Sequence, residues 1–221
     1  MSLIIKNTTE IKTVAEFIAL SISDKLKTGK QVLFFVTGGS SIAVCVEVAK
    51  ILMQNSHQNL TIMLTDERYG PLNHPDSNWF QLISRGFNLG EARLIPILTG
   101  DNCQDTTEKF NANLKEEFKK DSYKIGLFGI GADGHTAGIL PNTSAVNSPD
   151  LATTYKTEKF ERITMTPKAI MQLNEVVVFA KGEDKWPTLE KLKNEVELNE
   201  QPAQILKKVP LLTMFTDYNQ E

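Results

Sequence analysis

Cysteine is nearly absent from this chain: Cys45 and Cys103 are the only two in 221 residues, one in an apolar helical pattern and the other in a polar loop. Two cysteines so placed make no disulfide framework and no metal-ligand spacing, and a reducing compartment is expected. Long apolar runs are missing as well. Nothing approaches the roughly 18 consecutive apolar residues of a membrane span. The short apolar run in Met1 to Lys6 lacks the extended hydrophobic region and small-residue cleavage site of a secretion signal. A soluble cytoplasmic protein without a membrane partner is expected. Positive charge is not in surplus: 24 Lys and Arg face 27 Asp and Glu, the net charge is −3, and no basic stripe forms. A nucleic-acid partner is therefore not expected. The three histidines, His57, His74 and His135, are scattered, which gives no metal site. No repeat, low-complexity segment or linker interrupts the chain. Residues 1–221 are expected to form one domain, with 41% hydrophobic residues available for its core.

What is present alternates. Ile11, Val14, Ala15, Ile18 and Ile22 recur at helical spacing, which predicts an amphipathic helix over residues 9–27 that ends near Gly29. Val32 to Val36 is a continuous β-rich run that breaks into Thr37-Gly38-Gly39-Ser40-Ser41 before a helix from Ile42 to Met53. A second strand, Leu60 to Leu64, runs into Asp66-Glu67-Arg68 and a polar loop, and Ser77 or Asn78 reads as the cap of a helix to about Arg85. Leu94 to Leu98 and Ile125 to Phe128 are further strands, with a helix over Thr106 to Lys120 between them. Short strands at Leu151 to Tyr155 and Ile163 to Met165, a helical turn from Pro167 and a strong strand from Val176 to Ala180 follow. The tail holds a helix around Pro202 to Leu206 and a last apolar run, Leu211 to Phe215. Such alternation predicts the α/β class: a mainly parallel, Rossmann-like sheet in three layers with helices on both faces. His57 and His74 fall in polar loops and are expected to be solvated.

Four strand-to-helix junctions carry unusual residues. Gly129-Ile130-Gly131-Ala132-Asp133-Gly134-His135-Thr136-Ala137 packs three glycines, an acid and a histidine behind a strand. Glycines let a backbone approach a ligand or adopt positive φ, and a histidine titrates near neutral pH and is tuned by a nearby carboxylate. Thr37 to Ser41 aims main-chain N–H groups and a helix N-terminus at whatever sits above it, which suits a phosphate or carboxylate. It is not a Walker A loop, because no Gly-Lys-Ser/Thr follows the glycines. Asp66 to Arg68 and Lys181 to Lys185 complete the set, and in a parallel sheet one crevice collects them all. Gly129-x-Gly131-x-x-Gly134 also matches the dinucleotide fingerprint. Its context does not, because Pro141 interrupts the required long helix and no second strand with a terminal acid follows.

Thr37-Gly38-Gly39-Ser40, Thr65-Asp66-Glu67-Arg68 with Ser77-Asn78, the Gly129 to Ala137 segment, and Pro202-Ala203-Gln204-Ile205-Leu206 together resemble the 6-phosphogluconolactonases over nearly the whole chain. The related sugar-phosphate isomerases and deaminases share the glycine loop and the Gly-His-x-Ala segment. The resemblance implies the NagB/RpiA/CoA transferase-like fold, a small sugar-phosphate lactone as partner, no cofactor, and a monomer or small homo-oligomer. Two positions favour the lactonase branch. Glucosamine-6-phosphate deaminases carry Asp-Glu-Tyr where this chain has Asp66-Glu67-Arg68, and an acid shortly after Gly-His-x-Ala where it reads Gly138-Ile139-Leu140-Pro141. Departures exist too: Tyr69-Gly70 stands in place of a Trp-Val pair, and Gly138-Ile139-Leu140 in place of Ser-Leu-Phe. A third alternative, a non-catalytic sugar-phosphate sensor, lacks the DNA-binding helix-turn-helix segment such regulators carry.

Lactone hydrolysis requires a water to lose a proton as it attacks the carbonyl, an oxyanion to be stabilised, and the ring oxygen to be protonated as it leaves. His135 is the expected base and then acid, oriented by Asp133 or Asp66, and Arg68 or loop N–H groups would meet the developing charge. Gly38, Gly39 and Ser40 are assigned to the substrate phosphate with Lys185, which the family's Gly-x-x-Lys segment marks, and Arg162 is a further candidate. No Gly-x-Ser-x-Gly elbow is present, so a covalent acyl-enzyme is not expected.

Overall fold

The computed structural model describes residues 2–53 and 58–219; His57 lies outside the described residues. Its strands are β1 (Ser2–Asn7), β2 (Gln31–Val36), β3 (Leu60–Leu64), β4 (Asp66–Arg68), β5 (Arg93–Ile95), β6 (Ser122–Phe128), β7 (Ala152–Lys156), β8 (Glu161–Met165), β9 (Glu175–Ala180) and β10 (Leu211–Thr216). The helices are α1 (Ile11–Lys27), α2 (Ile42–Leu52), α3 (Asn78–Ser84), α4 (Cys103–Lys119), α5 (Pro167–Ile170) and α6 (Trp186–Leu192). Seven strands form a parallel sheet in the order β1-β10-β9-β6-β2-β3-β5, and β4, β8 and β7 make a separate antiparallel sheet. The fold class is thus α/β, a mainly parallel central sheet with helices on both sides.

The central strands read as uninterrupted apolar runs because both faces are covered. Val32 to Val36 and Val176 to Ala180 are all buried, in one hydrophobic cluster with Val14, Ile18 and Ile22 of α1 and Val44, Val48 and Leu52 of α2. α1 lies against α2 and ends at Thr28, whose N–H closes onto Lys25 and Leu26 carbonyls before Gly29 turns at φ 77°. No described helix is long and apolar enough to cross a membrane.

Several expectations are corrected. Ser2–Asn7 is an edge strand paired with β10, not merely a short apolar run. The strand expected at Leu94 to Leu98 is β5, Arg93–Ile95, because Pro96 has no N–H for the ladder. Asp66 to Arg68 is not a loop: it is a short strand antiparallel to β8, with Arg68 opposite Arg162. Cys103 opens α4 rather than sitting in a loop, since Asn102 caps that helix by accepting the Asp105 N–H. The segment Pro202–Lys208 is a 3₁₀ helix. His74 is partly buried rather than fully solvated, with Nε2 3.0 Å from the Arg68 carbonyl oxygen.

Candidate active site

β2 lies between β3 and β6: the chain moves outward from β2 through β3 to β5, then returns to the other side of β2 with β6. That reversal opens a crevice between the carboxyl ends of β2 and β6, where parallel α/β sheets place their ligands. A cleft of about 270 Å³ occupies it. Gly38, Gly39 and Ser40 from the loop after β2, Asp66 and Arg68 from β4, His135 from the loop after β6, Arg162 from β8 and Lys185 after β9 all line this cleft. Asp133 stands behind His135 and is not part of the lining.

His135 is fixed from several directions. Its Nδ1 lies 2.5 Å from Asp133 Oδ1, which also accepts the His135 main-chain N–H at 3.1 Å. The hydrogen bond from His135 holds the Asp133 carboxyl below its ordinary value, against partial burial. A carboxylate at Nδ1 keeps the proton there and leaves Nε2 as the acceptor nitrogen. Asp66 makes its contacts elsewhere. Its Oδ1 accepts from Thr65 Oγ1 at 2.8 Å, its main-chain oxygen accepts from Asn78 Nδ2 at 3.0 Å, and its Oδ2 stands 3.9 Å from Arg162.

The loop that carries the ring is built for close approach. Gly131 donates its N–H to the His135 carbonyl at 3.0 Å, and a Cβ on Gly131 would lie 2.2 Å from both Cε1 and Nδ1 of the ring. Gly134 turns at φ 86°. From outside, Ala203 N–H donates to the Gly134 carbonyl at 3.0 Å and Thr188 Oγ1 to the Ala132 carbonyl at 2.5 Å, with Gln201 Nε2 holding the Thr188 carbonyl at 2.8 Å. On the far side Tyr155 Oη donates to the Gly138 carbonyl at 2.5 Å and accepts the Leu140 N–H at 3.3 Å. Thr188, Gln201 and Tyr155 were missed as site supports in the sequence.

The rest of the cleft lining is cationic. Gly39 at φ 65° starts a tight turn, Gly39–Ser41, that leads directly into α2 and presents main-chain N–H groups. Lys185 follows Gly182, whose φ of 115° only glycine adopts easily. Asp217 at the end of β10 fastens that loop by accepting the Gly182 N–H at 3.0 Å and Trp186 Nε1 at 3.1 Å. Arg68 and Arg162 flank the Phe160 ring, with guanidinium carbons 5.5 and 6.0 Å from its centroid. The Nε atoms of both arginines are buried without a partner. Only one carboxylate, Asp66, stands near this arginine pair among the described salt bridges, so the pair retains positive charge toward the cleft.

A parallel sheet whose switch-point cleft pairs a His–Asp couple with a cationic, glycine-cradled end defines an α/β enzyme for an anionic small molecule. The chain belongs to the family of glucosamine-6-phosphate isomerases and 6-phosphogluconolactonase, which matches residues 6–213. It is 29% identical over 199 residues to the 6-phosphogluconolactonase of Borreliella burgdorferi, covering 84% of this chain and 83% of that one. It is 30% identical over 177 residues to that of Helicobacter pylori strain 26695, covering 77% and 76%. Among solved structures, 6-phosphogluconolactonase from Thermotoga maritima superposes with a TM-score of 0.84 at 20% identity, covering 97% of this chain and 99% of that one. A monomeric glucosamine-6-phosphate deaminase superposes with a TM-score of 0.80 at 19% identity, covering 98% and 97%. The fold is therefore common to both activities, and side chains must separate them.

Proposed function

We propose that the protein hydrolyses 6-phospho-D-glucono-1,5-lactone to 6-phosphogluconate, the lactonase step of the oxidative pentose phosphate pathway. It is a carboxylic ester hydrolase acting on a lactone. The carrying observation is the His135–Asp133 couple at a cleft that Arg68, Arg162 and Lys185 also line. With Asp133 on Nδ1, Nε2 takes a proton from water as the water oxygen bonds to C1. The charge that develops on the carbonyl oxygen is met by Arg68 or loop N–H groups. When the bond from C1 to the ring oxygen breaks, the proton on Nε2 passes to that oxygen and the free acid chain is released. One imidazole thus serves both proton transfers.

Gly38, Gly39, Ser40 and Lys185 hold the phosphate in this reading, with Arg162 beside them. The phosphate does not react, so these contacts bind ground state and transition state alike. Lys185→Ala and Ser40→Ala are accordingly expected to raise KM more than they lower kcat. Steady-state kinetics on freshly generated lactone check this. A fixed KM with a collapsed kcat, or equal turnover of phosphate-free gluconolactone, would remove the assignment.

A further inference from the structure

Glu67 is the least accessible acid in the site region, at 0% exposure, and it does not reach the cleft. Its carboxylate instead gathers four donors. Oε1 accepts the Arg68 N–H at 2.8 Å and the Asn78 N–H at 2.6 Å, while Oε2 accepts the Trp79 N–H at 3.0 Å and Ser77 Oγ at 2.8 Å. Asn78, 1% exposed, continues the chain of contacts: its Nδ2 donates to the Asp66 carbonyl, and its Oδ1 fills the space where a Cβ on Gly38 would be. That Oδ1 is buried and has no hydrogen-bond partner. The amide therefore wedges the loop after β2 against β4.

We propose that Glu67 is a positioning residue which, acting through Asn78, sets Gly38 at the phosphate end against Asp66 and Arg68 at the carbonyl end. This role rests on the lactonase reading above. A buried carboxylate is favoured there only because every acceptor direction is filled, and burial still pushes Glu67 above its ordinary value. Glutamine has the same shape but turns an NH₂ group toward donors, so Glu67→Gln loosens the cluster without opening a cavity.

The test has two independent readouts. In folded Glu67→Gln, the main-chain amide resonances of Arg68 and Gly38 are expected to shift while that of Gly182, fastened separately by Asp217, stays in place. On the lactone, kcat/KM is expected to fall about 10- to 100-fold, the cost of a displacement of order 1 Å. Because both act through one contact, Glu67→Gln combined with Asn78→Ala should lose no more than the worse single variant. An unmoved Gly38 amide, or losses that multiply in the double variant, would overturn the proposal. If Glu67→Gln does not fold, Asn78→Ala decides alone: it keeps the main-chain N–H to Glu67 and removes the wedge together with the Nδ2 contact to Asp66, so wild-type kcat and KM in it overturn the proposal. Failure of the wild type to hydrolyse the lactone would instead remove the proposed reaction, and the resonance comparison would still decide the positioning.

Discussion

His135→Ala is expected to lower kcat by about 10²- to 10⁴-fold, the range for loss of a positioned general acid or base. The ring side chain is 36% exposed and contributes little to the core, so the circular dichroism spectrum and melting temperature should stay close to wild type. His135→Asn should be nearly as inactive, because an amide forms hydrogen bonds but does not take up and return a proton. His74 supplies the contrast. Its ring contacts the Arg68 carbonyl from outside the cleft, so His74→Ala should retain kcat within a few-fold. A folded His135→Ala protein with near-wild-type kcat would end the role given to the imidazole.

Gly131→Ala should approach that loss without touching the imidazole itself. A methyl group there would lie 2.2 Å from the ring and 2.7 Å from Asp133 Oδ1, so ring and carboxylate must both shift from their present positions. Gly131 is not held at positive φ, and the substitution therefore acts through contact with the ring rather than through backbone strain. A ring displaced by about 1 Å costs on the order of 10²-fold in rate. The fall should appear in kcat, with KM nearly unchanged because Gly38, Gly39, Ser40 and Lys185 are untouched. A wild-type kcat in Gly131→Ala would mean that the His135–Asp133 contact is not needed for turnover.

Much of this architecture is legible in the chain because its signals are local. Apolar runs such as Val32 to Val36 mark buried parallel strands, and glycines and small polar residues mark the turns that follow them. Once the sheet is parallel, those turns must converge, which is why the sequence alone groups Gly38, Asp66, Gly131 and Lys185. What escapes is non-local. A three-residue polar strand such as β4 has no periodicity, and only its pairing with β8 shows that Arg68 and Arg162 lie side by side. Glu67 reads in sequence as one of three clustered charges, yet its environment is made by α3, eleven residues further on. The choice of Asp133 over Asp66 as the partner of His135 likewise depends on where Asn78, Thr65 and Arg162 engage Asp66. Gln201 and Thr188 support the histidine loop from more than fifty residues away, a distance no motif spans.

The reaction itself is tested most directly by offering the purified protein freshly generated 6-phosphogluconolactone and glucosamine 6-phosphate in parallel. Arg68 beside Asp66-Glu67, and Gly138-Ile139-Leu140 where deaminases place an acid, predict lactone hydrolysis well above the spontaneous rate and no ammonia from the amino sugar. Ammonia release from glucosamine 6-phosphate, with the lactone opening no faster than in buffer, would contradict it.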